Sequence, residues 1–179
     1  MSTAEGLDAL VIVDMQEGLL LGDEKHELTS VVERINRLAA RVRKRGGAVF
    51  FVQHQGTPGD GFAPGEPGWP ILAAMDRKSE DRVVPKTLNN AFCGTSLGED
   101  LSKLSPARVV VGGWATDFCV DATVRAAAES GHAVVVVSDG HTVCDRPHLR
   151  ATQIIEHHHA IWRNLLAPGG ITLAIESEI

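Results

Sequence analysis

Asp14, Lys86 and Cys119 supply a carboxylate, an amine and a thiol, each placed just beyond a short apolar run. Asp14 follows Leu7 to Val13, Lys86 follows Arg82-Val83-Val84, and Cys119 comes shortly after Arg108 to Val111. A thiol attacks a carbonyl as thiolate, and a neighbouring base or cation can help it ionise. Thr116 or Asp117 reads as a helix N-cap, which puts Cys119 in the first helical turn. Unpaired backbone N–H groups and the positive dipole end there should lower the thiol pKa, with Lys86 adding to the effect. An ionised Asp14 would oppose it, but could accept the thiol proton and later return it. Each residue also has a plainer use: Cys119 as a small core residue, Asp14 as a cap, Lys86 as a solvated lysine.

Strands and helices alternate around these positions. The run from Leu7 to Val13 fits a strand buried on both faces of a parallel sheet. Leu28, Val31, Val32, Ile35, Leu38, Ala39 and Val42 form one helical stripe, closed by Arg41, Arg43, Lys44 and Arg45 and stopped by Gly46. Further strands are expected at Ala48 to Val52, Arg82 to Val84, Arg108 to Val111, Ala133 to Val137 and Ile171 to Ile175. Helices are expected from Ser96 to Leu104, from about Asp117 to Ser130, and from Pro147 along Ala151, Ile154, Ile155, His158, Ile161, Trp162 and Leu165. This order predicts one domain over residues 1–179: a three-layer α/β/α fold, doubly wound, with a mostly parallel sheet of about six strands. In such sheets ligands bind beyond the carboxyl ends of the strands, where Asp14, His54, Lys86, Cys119, Asp139 and His141 all fall. Residues Gly56 to Pro70, with five glycines and four prolines, form a long loop carrying Phe62 and Trp69 and read as an active-site lid.

Composition narrows the class. The 179 residues are 44% hydrophobic and carry a formal charge of −6, which argues against a nucleic-acid partner. No apolar run approaches a membrane span, and Met1 to Leu7 lacks a secretory pattern. Three cysteines do not suggest a disulfide framework, so free thiols in a cytoplasmic protein are expected.

The segment Val111-Gly112-Gly113-Trp114-Ala115-Thr116-Asp117-Phe118-Cys119-Val120 resembles the signature of the isochorismatase-like cysteine hydrolases. That superfamily includes nicotinamidases, carbamoylsarcosine amidases and isochorismatases. Val11-Ile12-Val13-Asp14-Met15-Gln16 is similar to its first strand and aspartate. Lys86 with Asn89, Asn90, Ala91, Phe92, Thr95 and Leu97 is similar to its lysine motif, and Val136 to Gly140 to a later strand end. The resemblance spans about Leu7 to Leu165. It implies a triad in which Asp14 is the general acid/base, Lys86 orients it, and Cys119 attacks to form a thioacyl-enzyme. It also implies a cis Trp114–Ala115 peptide, an oxyanion hole from the Ala115 and Cys119 N–H groups, and a homo-oligomer, dimer or larger. Gln16, His54, Trp69, Phe92 and Trp114 are the substrate-binding candidates.

Departures from the family pattern shape the substrate expectation. Many nicotinamidases hold a metal through Asp-x-His after the second strand, but this chain reads Val52-Gln53-His54-Gln55-Gly56 there. No metal and no cofactor are therefore expected, which points to the metal-free branch. Vinyl-ether-cleaving isochorismatases commonly lack the cysteine, so Cys119 favours hydrolysis of a small amide or related C–N bond. Vinyl-ether hydrolysis and a non-catalytic binding protein on the same fold are the alternatives. His157-His158-His159 do not converge on one helix face, and Cys93, Cys144, Asp139 and His141 stay outside the catalytic set. Gly112-Gly113 lacks dinucleotide spacing.

Overall fold

The computed structural model describes residues 6–179. The apolar runs become six strands: β1 Asp8–Val13, β2 Ala48–His54, β3 Arg82–Lys86, β4 Arg108–Trp114, β5 Val134–Thr142 and β6 Ile171–Ala174. They form one parallel sheet in the order β3-β2-β1-β4-β5-β6. The helices are α1 Glu17–Leu20, α2 Leu28–Lys44, α3 Leu97–Leu104, α4 Asp121–Glu129 and α5 Ala151–Asn164. A π-helical turn, Thr116–Val120, leads directly into α4. The doubly wound parallel sheet expected from the sequence is the one observed.

Two-residue alternation assigns each strand's side chains to two cores. Ala9, Val11 and Val13 of β1 join Val109 and Val111 of β4 beneath α3, α4 and α5, with Leu97, Leu101, Val124, Ala127 and Trp162. Leu10 and Ile12 face the other way, under α2. Because both faces are covered, the central strands read as continuous apolar runs. The α2 stripe is buried at Val31, Val32, Ile35, Leu38, Ala39 and Val42. Its basic end does more than complement the helix dipole. Arg43 grips Asp81 through two contacts of 2.8 and 2.6 Å, and Arg37 and Arg41 hold buried Glu176 near the C-terminus. Gly46 turns the chain at φ +85°, a conformation costly for side-chain-bearing residues.

Several boundaries differ from the sequence expectation. β3 continues through Pro85 to Lys86, which an edge strand allows because Pro85 needs no second ladder partner. α5 starts at Ala151, not Pro147: Arg146 and Leu149 pair across a turn, and Asp145 accepts the Ala151 N–H at 2.8 Å. α1 is a short helix within a stretch that lacked a sequence period. β5 does not stop at Val137. Its register against β4 jumps from Val111↔Val136 to Gly113↔His141, so residues 137–140 bulge and the strand resumes through Thr142.

Candidate active site

The sheet order reverses direction between β1 and β4, the switch point at which open α/β sheets form their ligand crevice. Asp14 leaves β1 and Cys119 follows β4, so the two arrive at that crevice from adjacent strands. Lys86 reaches it from β3, across β2. Asp14 sits at φ +51°, with its N–H held by Val52 O at 2.9 Å. Asp tolerates this left-handed geometry better than most residues.

Close approach of β4 to β1 depends on glycine. Gly113 lies at φ +123°, and a Cβ there would stand 2.2 Å from Val13 O. Beyond it the Trp114–Ala115 peptide is cis. Ala115, with extended backbone, opens the π-helical turn, and its carbonyl accepts from Phe118 N at 3.0 Å and Val120 N at 3.1 Å. Neither Thr116 nor Asp117 is the cap. Asp117 instead pairs with Arg146 at 2.8 and 2.9 Å, and that guanidinium lies 5.1 Å from the Phe118 ring centroid.

The three separated residues meet. Lys86 Nζ lies 2.6 Å from Asp14 Oδ2 and 3.4 Å from Cys119 Sγ, and donates to Leu88 O at 3.0 Å. Asp14 and Lys86 are almost wholly buried, whereas Cys119 is half-buried. Asn89 adds its Oδ1 at 3.8 Å from Sγ. It belonged to the lysine motif but carried no role in the sequence reading, because only the folded chain brings it to the thiol.

Electrostatics differ from the sequence expectation. Burial and the Asp14 charge push the Cys119 thiol up to about 12, outweighing Lys86. Burial also raises Asp14 above the usual carboxylate range, although Lys86, Cys119 and His54 pull it back. The raised thiol stands beside the Asp14–Lys86 ion pair, an arrangement that opposes a preformed thiolate. The helix-start argument failed because desolvation and a nearby carboxylate outweigh a dipole effect.

The substrate-binding candidates separate into distinct settings. His54 is half-buried, acts electrostatically on Asp14, and packs edge-on to Phe62 with centroids 5.8 Å apart. Gln16 is fully buried and its amide is spent on the main chain. Its Nε2 donates to His54 O at 3.0 Å and Trp69 O at 2.8 Å, and its Oε1 accepts the His54 N–H at 2.6 Å. Gln16 thus fixes the two neighbours that could meet a ligand, with both amide hydrogens spent. Trp69 keeps a buried indole N–H without a partner among the described residues. Trp114 packs with the α2-side core, its ring 5.5 Å from Lys25 Nζ, on the face opposite Cys119. Phe92 is also away from the thiol, with its ring 6.2 Å from that of His132 beyond the C-terminal end of α4.

The glycine- and proline-rich loop is tied down. Asp60 accepts from Thr57 and Phe62 N–H groups, Glu66 accepts from Gly59 and Ala63, and Gly68 O receives Gly18 N at 3.1 Å. Asp139 faces α2, where it meets Arg34 at 3.5 Å and caps Glu176 N at 2.7 Å. No group of three or more His, Cys, Asp or Glu side chains suited to a metal ion occurs among the described residues.

Comparison with known proteins agrees with this fold. The family model described as the isochorismatase domain matches residues 8–175. A streptothricin hydrolase of Streptomyces noursei is 36% identical over 142 residues, covering 79% of this chain and 51% of that protein. The chain thus spans about half the length of the streptothricin hydrolases it matches. The ureidoacrylate amidohydrolase RutB of Pseudomonas syringae pv. syringae is 27% identical over 171 residues, covering 75% of this chain and 70% of that protein. The crystal structure of an isochorismatase from Pseudomonas putida KT2440 has a TM-score of 0.87 at 26% identity, covering 96% of this chain and 89% of that one. With its parallel sheet, its crevice at the β1–β4 switch point and a family match over nearly its whole length, the chain belongs to the isochorismatase family of hydrolases.

Proposed function

We propose that this protein is a cysteine hydrolase that opens a small amide or related C–N bond through a thioacyl-enzyme on Cys119. The observation that carries the reading is Lys86 Nζ bridging Asp14 Oδ2 at 2.6 Å and Cys119 Sγ at 3.4 Å in a buried setting. Streptothricin hydrolase and ureidoacrylate amidohydrolase among the similar proteins support hydrolysis of that class.

The raised thiol and carboxylate suit a concerted order of proton transfers. As Cys119 Sγ bonds to the carbonyl carbon, its proton passes to the Asp14 carboxylate. Negative charge then gathers on the carbonyl oxygen, for which the Ala115 and Cys119 N–H groups form the oxyanion hole. Asp14 gives its proton to the leaving nitrogen, the C–N bond breaks, and a thioester remains. Water attacks that thioester while Asp14 takes its proton. The C–S bond breaks, the acid product leaves, and the sulfur is protonated again. Lys86 keeps Asp14 ionised between steps and balances charge on sulfur. His54 and the unpaired Trp69 indole N–H are the substrate-facing groups in this proposal.

The test is ammonia or amine release across a panel of small amides, with mass spectrometry of the protein after rapid acid quench. A substrate-derived adduct on the Cys119 peptide, absent in Cys119→Ala, is expected. An active Cys119→Ala variant overturns the covalent mechanism.

A further inference from the structure

Behind the turn that carries Cys119 lies a polar chain that the hydrolytic steps do not use. His141 is buried, with Nδ1 2.8 Å from Thr116 Oγ1 and Nε2 2.9 Å from His159 Nε2. Thr116 is fully buried between Ala115 and Cys119, while His159 is half-buried on α5 and open to solvent on one side. The contact exists because the β5 bulge brings His141 level with Gly113. Trp162 closes the cluster, with its ring 5.3 Å from His141 and its Nε1 donating to Asp121 Oδ1 at 2.8 Å.

Two ring nitrogens 2.9 Å apart share a single proton, so the tautomer of one histidine dictates that of the other. With both rings neutral, one arrangement gives every proton an acceptor. The Thr116 hydroxyl donates to His141 Nδ1, His141 Nε2–H donates to His159 Nε2, and His159 carries its own proton on Nδ1. When His159 binds a proton from solvent, both its nitrogens are donors. Its Nε2–H then points at His141 Nε2, which must give up its hydrogen. His141 stays neutral, with its proton now on Nδ1, directed at Thr116 Oγ1. The Thr116 oxygen changes from donor to acceptor, and its own O–H must turn to another partner inside the turn. One proton enters from solvent, and none is lost.

We propose that Thr116, His141 and His159 form a tautomer switch through which a proton at the protein surface repositions the turn bearing Cys119. These are positioning residues, acting through the Ala115–Cys119 backbone. Their effect on turnover rests on the hydrolase reading, but the switch itself does not.

The surroundings decide which ring takes the charge. Burial, with His159 and His158 nearby, holds His141 down to about 3, so it stays neutral in mild acid. His159 also sits below the ordinary histidine value, through burial first and then Arg163 and His158 on its own helix. From α4, Asp121 faces the cluster through Trp162 and is held by Arg125 at 2.9 and 3.0 Å. β6, also against α5, carries no titratable side chain.

Long-range ¹H–¹⁵N correlation spectra of the uniformly labelled full chain, between pH 8 and 5, read each histidine tautomer directly. His159→Gln assigns the pair. At pH 8 His141 should be protonated on Nε2, and it should move to Nδ1–H with the same midpoint as His159 protonation. In His159→Gln that pH-dependent exchange should vanish. His141 already on Nδ1–H at pH 8, or unchanged while His159 titrates, overturns the switch whatever the enzyme's activity. With an amide substrate in hand, kcat should fall about tenfold per pH unit below that midpoint. His159→Gln should remove this limb, leaving only the one set by Asp14, with KM little changed. A kcat profile identical in both proteins overturns the positioning role even where Cys119 is confirmed as nucleophile. A failed Cys119 adduct test instead removes the hydrolase reading and leaves the spectroscopic criterion in force.

Discussion

Lys86 Nζ sits 2.6 Å from Asp14 Oδ2 with both side chains 1% exposed or less, so neither charge has water to fall back on. Removing one member of such a pair strands the other, typically at about 3–5 kcal/mol. Here the thiol of Cys119 offers a second partner to Lys86, at 3.4 Å. That gives the two possible deletions different outcomes.

Asp14→Asn should separate thiol reactivity from turnover. The Asp14 charge is one of the causes that raise the Cys119 thiol, and Lys86 would then face Sγ without a carboxylate competitor. Cys119 alkylation by iodoacetamide at neutral pH should become at least several times faster than in the wild type, while amide hydrolysis is lost. Peptide mapping after partial labelling measures the first, and product release the second. Slower alkylation in Asp14→Asn would mean that Asp14 activates the resting thiol directly.

Gln16→Leu should loosen the glycine- and proline-rich loop without removing a triad side chain. Three hydrogen bonds at one buried amide, two donated and one accepted, join the residue before α1 to His54 and Trp69. Groups left buried and unpaired cost about 1–3 kcal/mol each. A drop in melting temperature of several degrees is expected, with limited proteolysis appearing within residues 56–70. An unchanged melting curve would show that the Gln16 clamp contributes little.

Gly113→Ala should be far more damaging than its size suggests. The added Cβ would meet Val13 backbone atoms at 2.2 to 3.0 Å, and φ +123° is itself unfavourable for alanine. β1 and β4 would have to part at the switch point. Loss of soluble protein, or a melting temperature lowered by ten degrees or more, is expected from expression trials and calorimetry.

Acid should weaken the fold before the carboxylates titrate. His141 is held at about 3 in the folded protein, against the ordinary histidine value of 6.5. Below 6.5 the unfolded chain therefore takes a proton that the folded chain refuses. The stabilisation is complete above 6.5 and is lost as pH falls toward 3, at most about tenfold in the folding equilibrium per pH unit. Urea titrations from pH 7.5 to 4.5 should show this slope, reduced in His141→Asn. Equal slopes in both proteins would count against it.

By itself the sequence determined most of the local elements and the candidates for the chemistry. The buried strands were legible because a parallel sheet covered on both faces demands continuous apolar runs, as at Leu10 to Val13. The α2 stripe was legible because a helix buries residues at three- and four-residue spacing. Asp14, Lys86 and Cys119 stood out because each lies at or just beyond a strand's carboxyl end, the position where an open sheet gathers its reactive groups.

Only the tertiary structure decided how those groups behave. Whether Cys119 rests as thiol or thiolate depends on burial and on the distance to Asp14, quantities that no local pattern encodes. Gln16 looked like a ligand contact, yet it is consumed by backbone 38 and 53 residues away. Trp114 turned to the α2 side through the strand's two-residue alternation, and Phe92 was carried to His132. His141 read only as a residue past a strand's carboxyl end and outside the catalytic set, because strand pairing past a bulge leaves no periodic trace. The register jump from Val136 to His141 set it against Thr116. Side-chain type and spacing are written along the chain, whereas desolvation and long-range pairing exist only once the sheet has closed around them.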